Sequence, residues 1–197
     1  MEDGEGRDDE LWRLSLAGDG PAFGVLFDRH QARVFRHACR LTPSSTEAED
    51  VVAASFLELW RRRADVRLVD GSVLPWLLVT ATNVGRNVAR GTRRYRALLA
   101  RLPRDLSEPD VAAAVVEGVE LGLDPCLRFA LAQLNRADLH LFILVSIEDF
   151  TIAEAAEALG ISSSAARTRL SRARTKMRQT LGEHTTEAQP IESGGRQ

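Results

Sequence analysis

The stretch LGISSSAARTRLSRARTKMR, residues 159–178, decides the fold of the C-terminal part of the chain. It carries six basic residues and no acid, although the whole chain has 26 Lys and Arg against 28 Asp and Glu. Just before it, Thr151 and Glu154 form a capping-box pattern at the start of IAEAAEAL, and Gly160 ends that helix. The pattern predicts a short helix, a tight turn and a longer basic helix, as in a helix-turn-helix.

The basic helix has two different faces. Ala166, Leu170, Ala173 and Met177 recur at spacings of four, three and four, so we expect them to pack on the domain. The other sides are polar and basic, and arginine can bond guanine bidentately or pair with phosphate. The candidate DNA-binding residues are Ser164, Arg167, Thr168, Arg169, Arg172 and Arg174. An ordinary helical hairpin with a basic surface would have the same pattern.

Charge is segregated along the rest of the chain. Residues 86–104 contain seven Arg and no acid, and residues 105–124 contain six acids and no base. Two basic segments therefore flank an acidic one. Solvated helix faces are the usual explanation of a charge run, but the purity of both basic runs favours contact with nucleic acid.

The remaining periodic stretches predict helices throughout, so the fold class is all-α. We expect two small helical domains joined by a flexible acidic linker, with a helix-turn-helix in the second. The predicted parts are an acidic disordered N-terminus (1–9), an N-terminal domain (10–100), the linker (101–124), a C-terminal domain (125–182) and a disordered tail (183–197).

Several classes of protein are disfavoured by composition. The two cysteines, Cys39 and Cys126, lie far apart, and the four histidines have no ligand or triad spacing, so we expect no metal, no cofactor and no enzymatic activity. The N-terminal segment has no apolar signal core, and no apolar run approaches the length of a membrane helix. We expect a cytoplasmic protein without membrane insertion.

The motifs together resemble one family. IAEAAEALGIS followed by RTRLSRAR is similar to the C-terminal domain of extracytoplasmic-function sigma factors of bacterial RNA polymerase, in the sigma-70 family. LAGDGPAFGVLFDRHQARVFRHACRL, AEDVVAASFLELWRRR and PWLLVTATNVGRNVAR resemble the N-terminal domain of the same family, in its order and spacing. The resemblance covers about residues 11–181 and implies promoter-specific transcription initiation.

The resemblance implies a polymerase-binding helix around residues 48–63. Asp50, Phe56, Leu57 and Trp60 match the family pattern for contact with the core polymerase. The family usually has Gln-Glu or Gln-Asp where this chain has Ala53-Ala54, which removes hydrogen-bonding groups from that surface.

The resemblance also implies that the next helix captures the opened −10 element. Asn83, Asn87 and Arg90 share one helix face, while Arg93 and Arg94 would follow the DNA backbone. The loop at about residues 65–74 is where the family holds a flipped base. The C-terminal helix-turn-helix would read the −35 element.

The implied partners are core RNA polymerase, promoter DNA and an anti-sigma factor, although no residue identifies the last. Two alternatives stay open at this point. The chain could be an autonomous helix-turn-helix regulator, or a sigma-like protein that has lost core binding.

Overall fold

The fold, obtained as a computed structural model, is described for residues 8–42, 44–99 and 125–187. The chain divides into two compact units, one within residues 1–122 and the other within residues 123–197. Across the described ranges the regular structure is helical, apart from an isolated antiparallel bridge between Val69 and Ser72. The prediction of an all-α fold is thus confirmed, while the predicted linker, 101–124, lies outside the described residues.

Within residues 8–42 and 44–99, unit 1 has four α-helices and a short 3-10 turn. They are α1 (Asp9–Leu16), α2 (Gly20–Cys39), α3 (Ser45–Arg61), the 3-10 turn (Arg63–Asp65) and α4 (Leu74–Leu99). The side chain of Asp19 caps α2 by accepting from the backbone of Ala22, and Ser44 caps α3 in the same way. The predicted disordered N-terminus is wrong at its last two residues, because Asp8 is buried and Asp9 begins α1.

The core of unit 1 lies where α2 packs on α1, α3 and α4, and α3 on α4. Leu26, Leu59 and Leu77 are fully buried there. The sequence suggests that Gly85 weakens α4, yet the helix is continuous through it. A Cβ at Gly85 would lie 3.3 Å from the Cβ of Leu41, so the missing side chain lets α4 approach the end of α2.

Unit 2 is built around its last helix. Its elements are α5 (Pro125–Ala132), α6 (Arg136–Ser146), α7 (Ile152–Ala158) and α8 (Ser163–Glu187). α8 packs on each of the other three helices, and its predicted apolar face (Ala166, Leu170, Ala173 and Met177) is buried. α8 continues to Glu187, so the tail predicted to be disordered from residue 183 starts as helix, and residues 188–197 lie outside the description.

Candidate DNA-binding and polymerase-binding surfaces

The polar face of α4 is the first candidate DNA-binding surface. Asn87 and Arg90 are exposed and Asn83 is half-buried, at positions that fall on one side of the helix. The other side of α4 is apolar, with Leu78 and Ala81 fully buried. The predicted residues Arg93 and Arg94 lie further along α4, and their side chains are outside the described part of the chain. The structure therefore brings the two asparagines and Arg90 together on an accessible ridge.

A buried hydrogen bond fixes α4 against α2 beside this ridge. The hydroxyl of Thr82 donates to the carbonyl of Leu78 at 2.8 Å and therefore accepts from His37 Nε2, 3.0 Å away. His37 is 1% exposed and Thr82 is fully buried. Because Thr82 precedes Asn83, this contact sets the rotation of α4 at the start of the candidate surface.

The loop that precedes α4 is a tight turn. Asp70 and Gly71 both have positive φ, 48° and 71°, and Val69 and Ser72 exchange two backbone hydrogen bonds of 3.0 Å. This is the conformation that an Asp-Gly pair favours in two-residue hairpins. Val69 is buried, whereas Arg67 and Asp70 are exposed. The loop thus presents its tip and one basic side chain outward while its valines anchor it.

The carboxylate of Asp8 lies behind this loop and is nearly inaccessible to solvent. Its Oδ1 accepts from the Arg29 guanidinium at 2.7 Å. Its Oδ2 accepts from His30 Nε2 at 2.8 Å, the Val73 amide at 2.9 Å and the Ser72 hydroxyl at 3.1 Å. Burial raises the pKa of Asp8, but hydrogen bonds from His30, Val73 and Arg29 outweigh it, and the net pKa is lowered.

Sequence reasoning missed Asp8, since it lies among other acids in an N-terminal stretch without an apolar pattern. Asp8 also donates its own backbone N–H to the carbonyl of Gly71 at 2.7 Å. The residue therefore joins α2 to both sides of the turn. No local signal marks such a contact, because its partners lie 21 to 65 positions away.

The exposed face of α8 is the second candidate DNA-binding surface. Ser162 caps the helix by accepting from the Ala165 amide at 3.2 Å, which places the first turns of α8 at the end of the turn after α7. Most of the predicted side chains are exposed there, namely Ser164, Arg167, Thr168 and Arg172. Helix-turn-helix proteins contact base edges mainly with this N-terminal part of the second helix.

Two predicted arginines of α8 differ from that group. Arg169 is half-buried at the flank of the helix. Arg174 is exposed, but its guanidinium donates to the Ser146 hydroxyl of α6 at 3.3 Å. Lys176 likewise donates to the carbonyl of Gln133 at 2.6 Å. The C-terminal part of the basic run therefore also ties α8 to its own unit.

The candidate polymerase-binding residues of α3 fall into two layers. Asp50 and Leu57 are exposed, Leu57 at 57%, and both are accessible to a partner. Phe56 is 3% exposed and packs edge-on against Phe27, with ring centroids 4.7 Å apart. Trp60 is half-buried and has the guanidinium of Arg63 4.3 Å above its ring. Phe56 thus shapes this surface from beneath and does not lie on it.

A groove of about 480 Å³ lies between α2 and α3 beside these residues. Its lining is mostly apolar and includes Phe27, Phe35 and Ala53. Two acidic residues, Asp28 and Glu49, also line it. Sequence reasoning did not identify this groove, although two phenylalanines eight positions apart on one helix share a face and give a signal for it. The methyl of Ala53 keeps the groove wall apolar where the family pattern has a polar side chain.

Within the described ranges, no group of three or more His, Cys, Asp or Glu side chains is arranged to hold a metal ion. Among the described helices, none combines the length and apolar character needed to cross a membrane.

Comparison with known proteins matches both units. Residues 26–95 match the family model Sigma-70 region 2, and residues 125–177 match Sigma-70, region 4. The RNA polymerase sigma factor CarQ of Myxococcus xanthus is 34% identical over 167 residues, which span 84% of this chain and 92% of CarQ. The ECF RNA polymerase sigma factor SigM of Mycobacterium tuberculosis is 27% identical, over 90% of this chain and 86% of SigM.

A solved structure also resembles most of the chain. It is that of CnrH in complex with the cytosolic domain of CnrY, with a TM-score of 0.58 and 26% identity. The match covers 89% of this chain and 97% of CnrH.

Proposed function

The chain belongs to the extracytoplasmic-function sigma factors of the sigma-70 family, and from this premise we propose which of its residues bind polymerase and promoter. As a sigma factor it directs promoter-specific initiation, and the chemistry of RNA synthesis belongs to the polymerase. The observation that carries the proposal is that both sigma regions occur in one chain, each with an exposed polar helix face. We place the protein in the cytoplasm, where the polymerase acts.

Unit 2 reads the −35 element through the N-terminal turns of α8. Arg167 and Arg172 supply charged donors, and Ser164 and Thr168 supply hydroxyls, on exposed positions of the helix. Arg169 and Arg174 lie at its flanks, where contact with phosphate suits them better than contact with bases.

Unit 1 captures the opened −10 strand on α4 and the loop before it. Amide groups of Asn83 and Asn87 can bond base edges of an unstacked strand, while Arg90 pairs with its phosphates. The exposed tip of the loop, at Arg67 and Asp70, stands immediately before this helix and takes the flipped base.

Core polymerase binds the surface formed by Asp50, Leu57 and the half-buried Trp60. The adjoining groove contributes apolar contact area, which replaces the polar contacts that Ala53 and Ala54 cannot make. By analogy with CnrH, which was solved with the cytosolic domain of CnrY, a protein inhibitor of the anti-sigma class is a further partner.

Run-off transcription with purified core polymerase and genomic promoter fragments tests the function. The free protein should bind promoter duplex poorly, because its net charge of −2 gives little attraction to DNA. Core polymerase should confer tight and specific binding, since it would hold both units at the promoter's spacing. Tight specific binding by the free protein, unimproved by core, would favour an autonomous regulator. Failure to co-elute with core would instead indicate that polymerase binding has been lost.

Permanganate footprinting of the open complex and transcription from promoter variants test the site residues. Asn83→Ala and Arg90→Ala should reduce permanganate reactivity of promoter thymines, because they weaken strand capture, while leaving −35 use intact. Arg172→Ala should weaken use of the −35 element by about 1–3 kcal/mol if it bonds a base. Arg13→Ala, an exposed arginine on α1, is the control for charge loss. Unchanged reactivity in both α4 variants would remove that helix from the proposal.

A further inference from the structure

We infer that Asp8 is a positioning residue for base recognition: it holds the loop at residues 66–73 in the conformation that reads one base of the −10 element. The inference rests on the proposed function of that loop. It adds a residue that lies outside both candidate DNA-binding surfaces and that contacts the loop on both sides of its tip.

Buried valines anchor the loop, but few hydrogen bonds within the turn hold its tip. Two consecutive residues with positive φ form its tip, and Val69 and Ser72 close it with a single pair of backbone bonds. An isolated two-stranded hairpin is marginally stable at best in water, and this one has a single bridge. Something outside the turn must therefore keep its tip in one orientation.

Asp8 supplies that support on both sides of the tip. Its backbone N–H donates to Gly71, within the tip, and its carboxylate accepts from Ser72 and Val73, just after it. The same carboxylate is held from α2 by Arg29 and His30. α2 packs on α1, α3 and α4 in the core of unit 1. The carboxylate therefore fixes the turn relative to that core.

Asp8 contacts the loop and α2 through hydrogen bonds to polar groups, which are distinct from the apolar packing between the helices. The side chains that form the interior of unit 1, such as Leu26 and Leu59, are fully buried on α2 and α3. The Ser72 hydroxyl that Asp8 accepts from also accepts from the Leu74 amide at 3.2 Å, at the start of α4. Loss of the carboxylate would release the turn and this start, while the interhelical core keeps its contacts.

The chain offers matched controls. Asp9 is the neighbouring acid, and it is exposed, so Asp9→Ala removes the same side chain and charge while the Asp8 carboxylate and its hydrogen bonds to the loop stay in place. Val34 is fully buried on α2 and takes no part in the hydrogen bonds of Asp8, so Val34→Ala destabilises unit 1 while the bonds between Asp8 and the loop remain. The three tryptophans, Trp12, Trp60 and Trp76, all lie in unit 1, and their fluorescence reports whether each variant is folded.

The test is selection by holoenzyme from single-stranded DNA randomised over ten positions, followed by sequencing. Wild-type holoenzyme should enrich a motif with several specified positions. Asp8→Ala should lose about tenfold preference, equivalent to about 1.4 kcal/mol, at one position only, while the positions read by α4 stay specified. Asp9→Ala should retain the complete motif. Val34→Ala should do the same or weaken all positions alike.

Two results would overturn the inference alone: an unchanged motif with folded Asp8→Ala holoenzyme, or equal loss at every position. If Asp8→Ala does not fold at the assay temperature, Asp8→Asn takes its place. Its amide nitrogen cannot accept hydrogen bonds, so one side of the bridge between α2 and the loop is still lost. Failure of wild-type holoenzyme to enrich any motif would overturn the proposed function together with this inference.

Discussion

Two turns in left-handed conformation stand beside the candidate DNA-reading elements, and the two units hold them by different means. In unit 1, the turn at Asp70 and Gly71 is held by Asp8, more than 60 positions away. In unit 2, the turn at Asp149, with φ of 61°, is held by neighbours: the Phe150 amide donates to the Leu144 carbonyl, and the Thr151–Glu154 capping box follows directly. The loop before α4 in unit 1 thus depends on tertiary structure, while the helix-turn-helix is encoded locally.

The largest expected effect comes from cutting the long-range contact. Asp8→Ala should lower the free energy of unfolding of unit 1 by about 3 kcal/mol, because Arg29, His30 and the Val73 amide lose a buried charged acceptor. Denaturant unfolding followed by tryptophan fluorescence measures this. Asp9→Ala should change it by less than about 0.5 kcal/mol. Equal losses of unfolding free energy in the two variants would contradict the view that a long-range contact of Asp8 holds the loop of unit 1.

Acid should remove part of the same stabilisation. Hydrogen bonds to His30, Val73 and Arg29 outweigh burial and hold the pKa of Asp8 below its ordinary value of 3.8. The ionised carboxylate therefore stabilises the fold fully above that value, and the stabilisation is lost as the pH falls through the lower folded pKa. We expect the difference in unfolding free energy between wild type and Asp8→Asn to shrink below pH 3.8. The check is fluorescence-detected unfolding over a pH series; a difference that stays constant into acid would contradict it.

The local contact in unit 2 should matter less. Thr151→Ala removes the acceptor for the Glu154 amide, 3.2 Å away, and a lost N-cap costs about 1 kcal/mol. Hydrogen exchange of α7 and α8 amides should show this loss, while tryptophan fluorescence of unit 1 should not change. A shift in the fluorescence transition would mean that the two units do not unfold independently.

The contrast explains which parts could be predicted from sequence. The capping box and the buried face of α8 both follow from residues at successive spacings of three or four positions, and both are found. Asp8 looks like the acids around it, because its role depends on partners brought together only by folding. Phe56 is similar: the family resemblance implies that it contacts the polymerase, but its burial against Phe23 and Phe27 is a property of the packed helices.

The smallest expected effect tests whether the turn at Asp149 is truly local. Its φ of 61° lies where non-glycine residues are strained, and Asp tolerates this better than Ala. Asp149→Ala should therefore lower the stability of unit 2 by about 1 kcal/mol. Asp149→Gly relieves the backbone strain of the folded state. Glycine also raises the conformational entropy of the unfolded chain, which lowers stability by about 0.4–1 kcal/mol, so the two effects nearly cancel.

Hydrogen exchange of α6 amides in the full chain measures both variants, since unit 2 has no tryptophan. If Asp149→Ala is as stable as wild type, the positive φ of residue 149 does not affect the stability of unit 2. Contacts from distant residues must then hold this turn, as we infer that Asp8 holds the loop of unit 1. If Ala is worse than Gly by about 1 kcal/mol, the cost belongs to the residue's own φ, which is what local encoding requires.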